Sequence, residues 1–281
     1  MRQLLLIHCL LLCNLATAQK KLSARELFDN MFSNMDKVRT CTYVLNIEER
    51  VFDKISNSQY IAKVNVTPLK IYTYSVHPNP GAEALYVTGA NNGKVLINPN
   101  KFPYINLSLS PNSMLLRKPH QYNILQMGFG YFHEILRKNL IKDPTKFYAS
   151  ISLKEDIVHN KKEFHVLEII SSDFGYTNYT VLNGENVTDI AAKLLVNDHM
   201  ILELNDDIDD YDDVKPGQII KVPTSFAKKI TVYVDKLTYL PLVQIVYDDK
   251  GFYSKIEFSS FILNPVIQPE EFTRNYSKYR F

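Results

Sequence analysis

The residue types that catalyse reactions are present in this 281-residue sequence, but their spacing fits no familiar catalytic pattern. His133-Glu134 begins like the helix of a zinc protease, yet Arg137 occupies the position that requires a second histidine. Cys41 has no histidine close to it in sequence, and Glu48-Glu49 is expected to be an exposed part of a strand. The Gly-x-Ser-x-Gly nucleophile motif does not occur. The sequence therefore predicts no catalytic residue and no enzyme activity.

One acidic stretch could supply oxygen ligands to a calcium ion. Its aspartates are Asp206, Asp207, Asp209, Asp210, Asp212 and Asp213. The alternating spacing and glycine of a calcium-binding loop are absent, so a solvated acidic loop is the preferred interpretation. Gly128-x-Gly130 lacks the third glycine and the strand-to-helix context of a dinucleotide site. The sequence predicts neither a metal nor a cofactor.

Composition and charge indicate a globular chain that does not bind nucleic acid. Hydrophobic residues make up 46% of the sequence, which is enough for a sizeable core. The aromatic residues are Tyr 18 and Phe 15 with Trp 0, a balance that favours strands. The net charge is only +2 and no dense basic stripe is visible, so nucleic acid is not an expected partner.

The N-terminal residues 1–18 are typical of a cleaved secretory signal. A basic start and an apolar run at 4–15 precede a small-residue cleavage site, Ala16-Thr17-Ala18. Neither this run nor any later one is long enough to cross a membrane as a helix. Cys13 could indicate a lipoprotein signal, but Leu12 occupies a position where such signals usually carry a small residue. We expect an exported chain from near Gln19, located in the periplasm or cell envelope of a Gram-negative bacterium, with a buried, inert Cys41 as its single thiol.

Alternating apolar residues and turn signals predict an α+β fold. Its main part is a curled antiparallel β-sheet, a half-barrel of about ten strands with helices on the concave side. Helices are predicted at 23–38 and 122–140. The predicted strands are 40–52, 60–66, 70–77, 84–88, 94–97, 105–109, 147–154, 163–170, 229–237, 242–248 and 252–261.

A separate β-α-α-β pattern occupies residues 179–223. Val187, Ile190, Ala191 and Leu194 are spaced to share one helix face, and Asn197 or Asp198 caps a second helix. Pairing of the first and last strands brings the ends of this module together. We therefore expect it to be inserted at the tip of a hairpin formed by strands 163–170 and 229–237.

This module resembles the LysM domain. The carrying residues are Tyr179 and Val181, Gly184-Glu185, Ile190-Ala191, Leu204-Asn205 and the ending from Gly217-Gln218 to Pro223. The resemblance implies binding of N-acetylglucosamine glycans such as peptidoglycan or chitin in a groove between two loops. Carried over, the groove residues are Asn183, Gly184, Glu185, Asn186 and Val187 facing Asn205, Asp206, Asp207 and Ile208. Asp206 stands where the family often has proline. Loss of sugar binding, with the module kept as a spacer, is the alternative.

The surrounding sequence resembles the LolA/LppX-type periplasmic lipoprotein-carrier fold, and more closely an uncharacterised family of exported bacterial proteins built on it. The carrying residues are Ala84-Leu85-Tyr86-Val87, Asn92-Gly93-Lys94-Val95-Leu96-Ile97-Asn98, Arg117, Gly128-Phe129, Val234-Asp235-Lys236, Leu240-Pro241-Leu242 and Asn264-Pro265. This resemblance implies an apolar cavity for acyl chains. Tyr43, Leu45 and Ile47, or Tyr72 and Tyr74, could line it or could simply fill a core. The expected domains are 1–18, a discontinuous host at 19–178 and 225–281, and LysM at 179–224.

These observations favour a non-enzymatic cell-envelope protein. LysM would bind peptidoglycan, and the host domain would hold a lipid or the acyl chains of a lipoprotein. Two alternatives stay open: a peptidoglycan-modifying enzyme that LysM targets to its substrate, and a structural envelope protein without a ligand in the host.

Overall fold

The computed structural model describes residues 22–102, 104–117 and 120–281. Its main element is one open, curled antiparallel sheet of twelve strands, so the predicted α+β fold class is confirmed. A second sheet of two strands belongs to the inserted module. The predicted signal at 1–18 lies outside the described residues.

The strands follow the predicted alternation closely. The twelve strands of the main sheet are β1 Thr40–Val51, β2 Lys54–Asn65, β3 Lys70–His77, β4 Glu83–Val87, β5 Val95–Asn98, β6 Leu107–Leu109, β7 Ile151–Leu153, β8 Ile157–His159, β9 Lys162–Ile170, β12 Lys229–Asp235, β13 Pro241–Asp248 and β14 Gly251–Leu263. The two strands of the module are β10 Tyr176–Thr180 and β11 Ile219–Pro223.

The main sheet is a meander whose two halves meet at β1. Its order is β6-β5-β4-β3-β2-β1-β14-β13-β12-β9-β7, with β8 paired to β9. Strands β9 and β12 are antiparallel neighbours, with Ile170 opposite Lys229. The module enters and leaves between these two strands, as expected from its adjacent ends.

The helices are short and carry local capping signals. They are α1 Ala24–Met35, α2 Met114–Arg117, α3 Gly130–Lys142, α4 Pro144–Ala149, α5 Val187–Leu194 and α6 Asp198–Glu203. Ser23 caps α1 with a reciprocal capping box to Glu26, as the sequence predicts. The buried face of α1, which includes Leu27, Phe28 and Met31, packs into the main core.

Two predictions for residues 122–154 were wrong in part. The continuous helix expected at 122–140 is broken: a 3-10 turn covers Ile124–Gln126, and α3 starts only at Gly130. Gly128 between them has a φ of +80°, which an α-helix does not allow. The strand expected from residue 147 begins at Ile151, because Asp143 caps a short helix with Pro144 at its first position.

The main core lies between one face of the sheet and helices α1, α3 and α4. Tyr43 and Leu45 are buried in this core, so they fill it and do not line an open space. Cys41 is also buried there, and burial raises the pKa of its thiol to about 12. The interpretation of Cys41 as a buried side chain is therefore confirmed.

The C-terminal segment 264–281 covers part of the opposite face of the sheet, around strands β3 and β4. Tyr72 stacks on Tyr279 with ring centroids 3.7 Å apart, and Phe281 packs against the same ring. Phe272 completes this small cluster. Tyr72 and Tyr74 therefore lie under the C-terminal segment and do not line a cavity on the concave face.

Candidate ligand-binding sites

The module at 179–223 has its own apolar core. Its eleven buried members are Val181, Val187, Ile190, Ala191, Val196, Ile201, Leu202, Ile208, Tyr211, Ile220 and Val222. Strands β10 and β11 pair antiparallel, with Tyr179 opposite Ile220. Asn186 caps α5 with a capping box to Asp189, and Asn197 caps α6. The chain between α5 and α6 turns at Leu195, which has a φ of +62°.

The two loops expected to form the glycan groove lie side by side. The Val187 amide donates to the carbonyl of Tyr211 at 2.8 Å, and the Gly217 amide donates to the carbonyl of Val181 at 2.9 Å. On the second loop, Asp207 accepts a hydrogen bond from the Gln218 side chain at 3.2 Å. The two backbone contacts join residues 181–187 to the residue 205–218 segment, and the Gln218 contact lies within that segment.

Only some of the nine expected groove residues present free polar groups. Asn183, Gly184, Asp206 and Asp207 are exposed, whereas Val187 and Ile208 are buried in the module core. Asn205 is also buried, where it donates to the carbonyls of Ile201 and Lys221 and accepts from the Lys221 amide. The exposed four are therefore the residues that a glycan could reach directly.

Glu185 and Asn186 are held by neighbouring groups. The Glu185 carboxylate accepts hydrogen bonds from the Leu182 amide, the Tyr179 hydroxyl and the Lys193 ammonium. These bonds lower the pKa of Glu185 below its ordinary value. Asn186 uses its side-chain oxygen to cap α5. Both residues shape the loop, and their capacity for further bonds is small.

The module is docked tightly on the host sheet. Arg117, the last residue of α2, donates to Asp198 of α6 at 2.7 and 2.9 Å. Its guanidinium also stacks on the ring of Tyr211, 3.6 Å from the ring centroid. Both charged side chains are fully buried. Burial opposes the charge of Arg117, but the hydrogen bonds and charge of Asp198 raise its pKa. From the same helix, Met200 contributes its side chain to the host core.

A cavity of about 360 Å³ lies between the concave face of strands β1–β6 and the segment around α2. Its sheet side carries Ile47, Ala84, Val95, Ile97, Leu107 and Leu109. Its other side carries Leu115, Leu116, Ile124 and Met127. The size and the mainly apolar lining are typical of a small-molecule site, for which volumes of roughly 300–1,000 Å³ are usual. Of the five aromatic and aliphatic candidates from the sequence, Ile47 alone lines it.

A row of polar groups interrupts the apolar lining. Glu49 is only 1% exposed, so its predicted exposure was wrong. Its carboxylate lies 3.2 Å from His120 Nδ1, and His120 Nε2 lies 2.8 Å from the Tyr60 hydroxyl. Ser75, buried on the neighbouring strand, also lines the cavity.

Sequence reasoning missed Glu49, Tyr60, Arg117, His120 and Asp198 as a connected set. One local signal was present: Arg117 and His120 follow the apolar pair Leu115-Leu116, where charged residues are costly to bury without partners. Their partners lie in β1, β2 and α6, far away in sequence.

The described residues offer neither a metal site nor a membrane-spanning helix. Within residues 22–102, 104–117 and 120–281, no cluster of three or more histidine, cysteine or acidic side chains could hold a metal ion. No helix in the described part of the chain is both long and apolar enough to cross a membrane.

Comparison with known proteins identifies the module and gives solved structures with weak similarity to most of the chain. A family model described as LysM domain matches residues 179–223, which confirms the predicted module. No curated protein matches the chain. The lipoprotein LppX of Mycobacterium tuberculosis is 10% identical with a TM-score of 0.40, and the match covers 87% of this chain and 97% of that one. A LolA superfamily protein of Nitrosomonas europaea is 10% identical with a TM-score of 0.32, covering 90% and 99%. The fold class itself rests on the sheet topology given above.

A second family model covers more than half of the chain. It is described as Protein of unknown function (DUF1571) and matches residues 38–195. The match starts just before β1, includes the cavity strands and the segment around α2, and ends after α5 in the module. The chain therefore belongs to the DUF1571 family.

Proposed function

We propose that this is an exported, non-enzymatic cell-envelope protein with two binding functions. Its LysM domain binds an N-acetylglucosamine glycan, peptidoglycan foremost, and its host domain holds a lipid or acyl chain in the cavity. The observation that carries the proposal is the presence, in one rigidly joined chain, of a LysM domain and an apolar cavity of ligand size.

The exposed loop residues support glycan binding. Asn183 and the backbone of Gly184 face solvent beside Asp206 and Asp207. Amide and carboxylate groups can hydrogen-bond the hydroxyl and N-acetyl groups of a sugar. The exposed Leu182 side chain beside them offers an apolar contact for an acetyl methyl group.

The glycan function is best tested with point variants, because deleting the module would also remove Met200 and Asp198 from the host contact. We expect Asn183→Trp to block the groove and to reduce retention on purified peptidoglycan by at least about tenfold, a loss of roughly 1.4 kcal/mol. Asn178→Trp is the matched control, since Asn178 is exposed on β10 outside the loop. Equal retention of wild type and Asn183→Trp would rule out this groove.

The lipid function predicts occupancy of the cavity. Native mass spectrometry of the purified protein should show a co-purified apolar ligand, and Ala84→Phe should remove it because Ala84 lines the cavity. Leu85→Phe is the control, since the neighbouring side chain lies on the opposite face of the sheet with Tyr72. Release of muropeptides from sacculi by the purified protein would instead support an enzyme.

A further inference from the structure

The polar part of the cavity wall is an ordered relay of three side chains. Glu49 lies on β1, Tyr60 on β2, and His120 between α2 and α3. The Glu49 carboxylate accepts from the Gln121 amide at 3.3 Å and lies 3.2 Å from His120 Nδ1. His120 Nε2 lies 2.8 Å from the Tyr60 hydroxyl. The imidazole is thus held at both of its nitrogens.

The direction of these hydrogen bonds follows from the two groups that flank His120, the Glu49 carboxylate and the Tyr60 hydroxyl. Because an ionised carboxylate only accepts, His120 Nδ1–H donates to Glu49, and in the neutral imidazole Nε2 is then the acceptor for the Tyr60 hydroxyl. Burial raises the pKa of Tyr60 to about 12, so its hydroxyl keeps the proton. Ser58, on the same face of β2, lies close enough to the Tyr60 oxygen to donate to one of its lone pairs, which leaves the other lone pair for a ligand in the cavity. This arrangement makes Tyr60 a fixed hydrogen-bond acceptor and a poor nucleophile.

The hydroxyl of Ser75, on the strand next to Tyr60, lacks a hydrogen-bond partner among the described residues. Ser75 is the residue opposite Tyr60 in the β2–β3 register, on the same face of the sheet. It is 4% exposed, lines the cavity, and its hydroxyl makes no hydrogen bond to any residue that the structure describes. Leaving a buried hydroxyl unpaired is unfavourable, and such groups call for a partner. A hydroxyl of a ligand could donate to Tyr60 and accept from Ser75.

The charges around the cavity disfavour an anionic head group. Glu49 is a buried acidic side chain, and of the two cationic lining residues of the described chain, the buried one, Arg117, is already paired with a carboxylate. Arg117 binds Asp198 with two nitrogens, and Lys101 is exposed and bonded to Asn79. A carboxylate or phosphate placed near Tyr60 would face the Glu49 carboxylate, and among the residues that the structure describes no unpaired buried cation lies there to offset the repulsion.

We propose that Tyr60 and Ser75 form a polar subsite for the hydroxyl head of an uncharged, single-chain amphiphile, such as a long-chain alcohol or a monoacylglycerol. This inference rests on the proposed lipid function of the cavity. The chain of the ligand lies against Ile47, Ala84, Ile97 and Leu109, and its head group reaches the relay. Glu49 and His120 act as positioning residues that fix the direction of the Tyr60 hydroxyl.

Displacement of the apolar fluorophore 1-N-phenylnaphthylamine from the full-length mature protein tests the subsite. Three competitors of equal chain length are compared: tetradecan-1-ol, its methyl ether and tetradecanoate. We expect the alcohol to bind about five- to tenfold more tightly than the ether, which cannot donate a hydrogen bond, and more tightly than the anion. Tyr60→Phe should abolish the preference for alcohol over ether, and Ser75→Ala should reduce it. Tyr74→Phe, on the opposite face, should leave it unchanged.

The outcomes separate the two proposals. If wild type does not bind the fluorophore and Ala84→Phe behaves identically, the lipid function itself fails. If the fluorophore binds but alcohol, ether and anion compete equally, the cavity holds lipid without the head-group subsite, and this inference is overturned. A preference for tetradecanoate, or a preference for alcohol that survives in Tyr60→Phe, would also overturn it.

Discussion

Arg117 and Asp198 form a bidentate ion pair that joins the host domain to LysM. Arg117 Nη1 lies 2.7 Å from Asp198 Oδ2, and Nη2 lies 2.9 Å from Oδ1. Arg117 also donates to the carbonyl of Gln121 at 2.6 Å, next to His120 in the cavity wall. Asp198 accepts a further bond from Thr188 of α5. One arginine therefore contacts both the LysM module and the cavity wall.

Replacing only one partner of this ion pair should strongly destabilise the fold. In Arg117→Met, Asp198 loses its cationic partner while still buried, and we expect a loss of about 3–5 kcal/mol in the free energy of unfolding. The double variant Arg117→Met/Asp198→Leu should recover part of that loss, since no unpaired charge stays buried. Urea titration measures both. Lys146→Met, which breaks the exposed pair with Asp173, should change little. Equal stability of wild type and Arg117→Met would contradict this account.

Excising LysM should destabilise the host even though the ends of the insert are adjacent. The Thr224 amide donates to the Gly175 carbonyl at 2.9 Å, so a short Gly-Ser loop can replace residues 176–223. The shortened chain loses Met200 from its core and leaves Arg117 buried without Asp198. We expect a lower urea midpoint, partly restored by adding Arg117→Met. An unchanged midpoint would show that the module contributes nothing to host stability.

The thiol of Cys41 should not react in the native protein. With a pKa of about 12, only about one thiol in ten thousand is ionised at pH 8, and the side chain is buried as well. We expect no labelling of a protein comprising residues 19–281 by iodoacetamide over hours, and full labelling in denaturant. Asn57→Cys, at an exposed position of β2, provides a positive control. Fast native labelling of Cys41 would reveal opening of the sheet near β1.

The C-terminal segment should loosen in acid. The ammonium of Lys63 is hydrogen-bonded to Glu271 and lowers the pKa of that carboxyl below its ordinary value of 4.5. A depressed folded-state pKa gives stabilisation that is fully present above the unfolded value and is lost as the pH falls through the folded value. The protection factors of the amides at residues 268–281, which correct for the slower intrinsic exchange in acid, should therefore fall as the pH drops below 4.5. Glu271→Gln should show the same loss of protection at pH 7, whereas Glu270→Gln at the exposed neighbour should not.

Local patterns predicted most of the secondary structure, because alternation and capping are short-range properties. Ser23 with Glu26 marked the start of α1, and the adjacent ends of the module correctly indicated a hairpin at β9 and β12. The cavity relay could not be predicted in this way. Glu49 looks like an exposed strand residue until His120, from a distant segment, is placed against it. The packing of the C-terminal segment on Tyr72 depends on Tyr279, about two hundred residues away in sequence.

The residues expected to bind the glycan also depend on partners that local sequence patterns do not predict. The resemblance to LysM located both loops, but their side chains differ in what they can offer to a ligand. Asn205 and Glu185 make their hydrogen bonds within the module, whereas Asn183 and Asp206 are exposed to solvent. Which residues are free depends on partners such as Lys193 and Lys221, and the family pattern of residue types carries no information about that.

The inserted module is attached to its host in two separate places, through the strands that leave the β9–β12 hairpin and through α6. A single flexible joint transmits tension but lets the attached body rotate freely. Two attachments also transmit torque, so LysM and the cavity turn together as one body. If the groove holds a glycan strand, the cell wall would then set the direction in which the cavity faces, as well as the distance at which it is held.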